Sequence, residues 1–133
     1  MKTFPIRIGT PDGLLYWGDV ERVVCRTITG DVAILADHCN YVSALGMGEA
    51  YIVLEDGTKK KAACIGGMLS VMDGSCHLLA TTWEWEEGID KDRAEKAKER
   101  AEKVLNTQGL SNKDYAMAQA KLNRALVRLS VKG

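Results

Sequence analysis

The chain has 133 residues, eighteen basic and eighteen acidic side chains, and a formal net charge of zero. With 46% hydrophobic and 27% charged residues it has an ordinary soluble composition, and the neutral balance argues against a nucleic-acid binder. No apolar run approaches the length that spans a bilayer, and the opening MKTFPIRIGTPDG lacks the apolar core and cleavage site of a signal peptide. A cytosolic protein, or a cytosol-facing part of an assembly, is therefore expected.

The first part of the chain reads as short strands. Phe4–Ile8, Val20–Ile28, Val32–Leu35 and Tyr41–Leu45 are expected strands, rich in β-branched and apolar residues. AYIVLEDGTKKKAACIGG predicts a hairpin turning at Asp56-Gly57, and MLSVMDGSCHLLATT another at Asp73-Gly74. Asp-Gly between apolar runs favours the primed turns that need positive φ. Gly66-Gly67 predicts a tight bend or a close backbone approach. Many short strands at close spacing point to an all-β sandwich or barrel.

Cys25, Cys39, Cys64 and Cys76 form no C-x-x-C pair. Asp37, His38 and Cys39, with Cys76 and His77, would supply metal ligands if folded together. The spacing matches no known metal site, and adjacent strand residues such as Cys76 and His77 point to opposite faces. Reduced, non-ligating thiols are the expectation.

After Trp83 the pattern turns helical. Asp90 is a good N-cap for a helix from about Lys91 to Leu105 or Asn106, although Arg93 stands where a capping box would place Glu. Its apolar stripe is Ala94, Ala97, Ala101, Val104 and Leu105. NTQGLSN is the break, with Gly109 able to end a helix, and Ser111 or Asn112 caps a second helix with the stripe Tyr115, Ala118, Leu122, Ala125, Leu126 and Leu129. A short loop makes the two helices an antiparallel hairpin. The stripes are thin and alanine-rich, so the hairpin is expected to be weakly held and able to open. From Ser111 onward five basic residues face one acidic residue, whereas Glu84–Lys103 holds eight acidic and six basic. The last helix is thus a basic arm, suited to an acidic partner surface.

The ordered motifs TPDGLLYWGDVERVV, GDVAILADH, GGMLSV, IDKDRA and ALVRLSV resemble the epsilon subunit of bacterial F-type ATP synthases over nearly the whole chain. The resemblance implies an N-terminal β-sandwich, residues 1–85, that binds the central stalk and rotor ring. It implies a C-terminal helical hairpin, residues 86–133, that acts as a regulatory arm. The implied partners are the gamma subunit, the c-ring and the alpha and beta catalytic subunits, at the cytoplasmic face of the bacterial membrane. The implied role couples proton or sodium flow to rotation and inhibits ATP hydrolysis when the arm extends, its basic Arg124 and Arg128 meeting acidic segments of the catalytic subunits. The sequence departs from the family pattern before His38, which would face gamma. Ala36 and Asp37 stand where Pro and Gly are common, and Met68 stands where an aromatic is frequent.

Some family members bind ATP between the two helices. By that resemblance Ile89, Asp90, Arg93 and Ala94 match an I/L-D-x-x-R-A motif, Arg100, Arg124 and Arg128 match phosphate-binding arginines, and Glu84 matches an acidic contact. Magnesium is left open. The residues also argue for themselves. Arg93 and Arg100 are about two helical turns apart, and Arg124 and Arg128 about one. Antiparallel packing brings the pairs together, where they repel unless an anion such as a triphosphate fills the gap. Asp90 would accept from the adenine amino group or cap the helix, and Ile89 and Ala94 would touch the base. The competing structural reading pairs these arginines with Glu87, Asp92, Glu95 and Glu99 on the surface.

No Walker loop, Ser-His-Asp order or paired catalytic acids appears, so a non-catalytic subunit is expected. Two other classes stand beside it. One is a purely structural stalk subunit without ATP sensing or inhibition. The other is a metal-binding enzyme using His38, Cys39, Cys76 and His77.

Overall fold

In a computed structural model that describes residues 2–132, six strands precede two helices. The strands are β1 (Phe4–Thr10), β2 (Gly13–Thr27), β3 (Gly30–Leu35), β4 (Tyr41–Leu54), β5 (Lys59–Met72) and β6 (Ser75–Trp85). A single 3-10 turn, Glu86–Gly88, leads to α1 (Lys91–Leu105) and α2 (Asn112–Lys132).

The sheet order is β1-β6-β5-β4-β2-β3, and β1 also pairs with β2. This closes the ring, because the 15-residue β2 serves two neighbours in succession. Its first half pairs with β1, from Thr10↔Gly13 to Phe4↔Val20. Its second half pairs with both β4 and β3. The result is a flattened, closed β-sandwich. Its interior is filled by alternate residues of every strand, among them Ile6, Ile8, Val20, Val23, Ile34, Ile52, Leu69 and Leu78. Closure leaves few strand edges to protect.

The strands are longer than their local punctuation suggests. β4 runs unbroken through Gly46 and Gly48, and β5 through Gly66 and Gly67, because their antiparallel ladder is continuous from Tyr41↔Val71 to Val53↔Lys59. Pairing with a neighbour outweighs the weak strand preference of glycine. Gly67 is required at its position. It has φ 122°, and a Cβ there would run into the Leu79 carbonyl oxygen and Ala80 Cα of β6.

The two Asp-Gly turns differ. Asp73 and Gly74 both have positive φ, 50° and 84°, as a primed turn needs. At the other turn only Gly57 is left-handed, and its N–H donates to Leu54 O at 2.9 Å. Leu54 N–H in turn donates to Thr58 O at 2.8 Å, so this is a three-residue loop with a left-handed glycine.

Ahead of His38, Asp37 adopts φ 64°, the left-handed conformation a glycine would take. Aspartate is one of the few residues that tolerate it. Lys2 Nζ donates to Asp37 Oδ2 at 2.8 Å across the surface.

The helices begin and end where their caps dictate. Asp90 Oδ1 accepts from Arg93 N–H at 3.1 Å, and Ser111 Oγ accepts from Asp114 N–H at 3.1 Å. Gly109, at φ 76°, turns the chain between them. The seam between the helices buries Ala94 and Ala101 of α1 and Ala118 and Ala125 of α2. Tyr115 and Leu126, expected in the stripe of α2, are instead 52% and 43% exposed. α2 has a second apolar face that the stripe missed. Val131 is fully buried with Ala63 of β5 and Ile89, and Val127 packs against them. This plug docks the hairpin on the sheet.

Candidate functional site

Polar contacts surround the plug. Arg128 Nε donates to Glu84 Oε1 at 2.6 Å, and both side chains are about one-third exposed, 28% and 36%. Lys61 Nζ meets Glu86 Oε2 at 3.0 Å, a contact that raises the lysine pKa through its hydrogen bond to Glu86. Lys132 Nζ donates to the Glu86 carbonyl at 3.1 Å. The contacts of Arg128 and Lys132 anchor the end of α2 to the β6 exit, and that of Lys61 ties the exit to β5. In the exposure range of the Arg128–Glu84 pair, an ion pair contributes up to about 1 kcal/mol.

Between the helices lies a groove of about 690 Å³. Its floor is apolar and made of small side chains, Ala97, Ala101 and Ala118, with Val104, Leu110 and Met117 toward the connecting loop. Four cations line it, Arg100, Lys121, Arg124 and Arg128, against the single carboxylate of Asp114. Alanines that bring the helices close also leave the floor open, since a methyl fills little of the space a leucine would take.

The expected site residues divide in this arrangement. Arg100, Arg124 and Arg128 share the groove. Arg93 is exposed in the first turn of α1 and does not line it. Asp90 spends Oδ1 on the helix cap. Ile89 and Ala94 do not line the groove: Ile89 is buried in the plug and Ala94 in the helix seam. Glu84 is the partner of Arg128. None of the ion pairs among the described residues joins Arg93, Arg100 or Arg124 to Glu87, Asp92, Glu95 or Glu99. The surface pairing that would neutralise these arginines is thus absent among the described residues. Lys121, one turn before Arg124, completes a cationic row at spacings of three and four that was legible in KLNRALVR.

Among the described residues no three His, Cys, Asp or Glu side chains converge. Cys76 is buried in the sandwich while its neighbour His77 is exposed. His38 Nδ1 is 2.7 Å from the Cys39 carbonyl, which can only accept, and its ring stands edge-on to Tyr41 at 5.8 Å. Burial pushes the thiols of Cys25, Cys64 and Cys76 up to about 12, because the thiolate would lose its water.

A second surface was not read from the sequence. Register aligns Met68 with Leu79, Leu79 with Gly9, and Gly9 with Leu14. Beside that row lie Val42, Ser70, His77, Arg7 and Trp17, again cross-strand neighbours. Val42, Met68, Leu79, Leu14 and Trp17 are 47–67% exposed, giving an apolar band across five strands. Arg7 stacks over Trp17 at 4.8 Å. α2 rests elsewhere, on β4 and β5 near Ala63. Strand alternation hides such a band, since both faces of these segments carry apolar residues.

Residues 3–86 match the family model described as ATP synthase, Delta/Epsilon chain, beta-sandwich domain. Residues 87–133 match that of the ATP synthase, Delta/Epsilon chain, long alpha-helix domain. The ATP synthase epsilon chain of Caldanaerobacter subterraneus subsp. tengcongensis is 38% identical over 130 residues, covering 98% of this chain and 94% of that one. The epsilon chain of Bacillus velezensis is 41% identical over 133 residues, covering 100% and 99%. A chain in the Euglena gracilis mitochondrial ATP synthase, OSCP/F1/c-ring in rotational state 1, superposes with TM-score 0.81 at 24% identity, covering 91% of this chain and 76% of that one. One in the central stalk and c-ring of the Tetrahymena thermophila enzyme gives 0.70 at 15%, covering 99% and 98%. At those identities the structural matches speak for the fold.

Proposed function

The chain belongs to the epsilon chain family of ATP synthases, and we propose that it is a central-stalk subunit whose helical hairpin senses ATP and regulates hydrolysis. The β-domain docks the gamma subunit and the c-ring at the cytoplasmic face of the bacterial membrane. The exposed apolar side chains Val42, Met68, Leu79, Leu14 and Trp17 support this reading, because aligned apolar groups on one surface suit a protein partner. His38, beside the left-handed Asp37, contributes to the gamma contact. No helix among the described residues is long and apolar enough to cross a membrane, in keeping with a peripheral place in the complex.

The groove between α1 and α2 carries the regulatory reading. Arg100, Arg124 and Arg128 face an apolar floor with one carboxylate nearby. That combination fits a flat base joined to a polyanion. Guanidinium forks bind phosphate oxygens bidentately, and removing the repulsion among three cations stabilises the closed hairpin. Arg93, Asp90 and Glu84 flank the groove at the start of α1 and the end of β6. ATP here is a ligand and not a substrate, and the chain is non-catalytic. Bound nucleotide adds its mass-action stability to the closed arm and disfavours extension. Once extended, α2 presents Arg124 and Arg128 to acidic segments of the alpha and beta subunits and inhibits hydrolysis.

Titration calorimetry of the isolated chain with ATP tests the sensor, and saturable binding that weakens in R124A is expected. No heat at millimolar nucleotide overturns it. ATPase rates of the complex with the full chain, and with a chain ending at Glu87, test inhibition. Equal rates would leave a structural stalk subunit.

A further inference from the structure

We propose that Lys121 is a phosphate contact of the interhelix groove and makes nucleotide binding depend on the number of phosphates. This rests on the reading of the groove as a nucleotide site and adds to it a residue outside the motif and arginine set. Lys121, Arg124 and Arg128 follow one another at helical spacings of three and four residues, so they form one row on α2. All three line the groove, as does Arg100 of α1.

The four cations differ in what holds them. Arg128 has Nε committed to Glu84 at 2.6 Å. Lys121 belongs to none of the ion pairs among the described residues. The one carboxylate of the groove, Asp114, stands two turns before Lys121, about 10 Å along the axis. The field along α2 therefore runs from negative at the connecting loop to positive from Lys121 onward. With the base at the Asp90 end of the groove, where Ile89 packs beside Val127 and Val131, a polyphosphate runs along this row from Arg128 toward the loop and its last phosphate reaches Lys121. Lysine suits the outer place in such a row. Its four-carbon stem lies along the apolar floor while a mobile ammonium follows a phosphate oxygen. Arginine forks fix orientation, and the lysine adds charge.

A charge at this place acts on phosphate count. Binding of ATP, ADP and AMP to the full chain is measured by calorimetry for the unmodified protein, K121Q and K121R. K121Q keeps helix propensity but removes the charge. Loss of a charge-assisted contact should weaken ATP binding about tenfold, ADP less, and AMP not at all, with K121R close to the unmodified protein. Melting of the nucleotide-free chain should stay unchanged. Equal ATP affinity in K121Q overturns the assignment of Lys121 and leaves the nucleotide site standing. An equal loss for all three nucleotides also overturns it, as a structural effect. Absence of ATP binding by the unmodified chain overturns the nucleotide site itself, and Lys121's role with it.

Discussion

The β-domain and the helical hairpin are held by different amounts of the same force. The interior of the sandwich is filled by Ile, Leu and Val side chains from all six strands, each worth about 1.5–3 kcal/mol when fully buried. The helix seam is made of Ala94, Ala101, Ala118 and Ala125, worth about 0.8 kcal/mol per methyl. One plug residue, Val131, thus contributes as much as two or three seam alanines together. The β-domain is built to persist, while the hairpin closes through contacts small enough for a ligand or a partner to outweigh. Binding energies of a few kcal/mol decide nothing in the sandwich and a great deal in the arm.

Breaking this contrast should give effects of very different size. Leu69→Ala removes a fully buried side chain of the sandwich and is expected to cost about 2–5 kcal/mol, lowering the melting temperature of the whole chain. Val131→Ala should cost about 2 kcal/mol, but only of docking. Hydrogen exchange should then speed up in α1 and α2 and stay slow in β1–β6. Uniform exchange in both regions would show that arm and sandwich unfold as one unit. Glu84→Gln removes the carboxylate under Arg128, and the loss should stay below about 1 kcal/mol because the pair is partly solvated. A larger loss would make that ion pair, and not Val131, the main anchor of α2.

Thiol chemistry sharpens the same contrast at lower cost to the protein. Alkylation of the native chain near pH 8 should label Cys39, which is exposed, and spare Cys25, Cys64 and Cys76. Those three are raised from 9.0 to about 12 by burial. Above pH 9 the unfolded chain releases their protons while the folded chain keeps them, so stability falls as pH rises toward 12. Titration followed by circular dichroism checks that direction. Labelling of a buried thiol in Val131→Ala would show that releasing the arm also opens the sandwich.

Much of the fold was legible because its signals are local. Asp-Gly turns, the Asp90 cap and the Gly109 break depend on a residue's own conformational preferences, and they lie where the sequence puts them. The cationic row of α2 was legible too, since helical spacing alone sets it. Strand lengths were not, because continuous pairing of β4 with β5 runs straight through glycines that read as breaks. Nor was the use of Ile89, whose motif position suggested a ligand contact until Ala63 and Val131 closed over it.

The sequence by itself determined a strand-rich first part, a capped helical pair and a family to which they belong, since turn chemistry, helix periodicity and ordered motifs are carried residue by residue. The tertiary structure alone decided that β1 pairs with both β6 and β2 to close the sheet. It also decided that Val131 rather than Tyr115 or Leu126 is buried, that apolar side chains from four strands align into one exposed band, and that Arg93 lies outside the groove that Arg100, Arg124 and Arg128 line. Each of these depends on which surfaces meet, and burial is a property of a pair of surfaces that neither segment specifies alone.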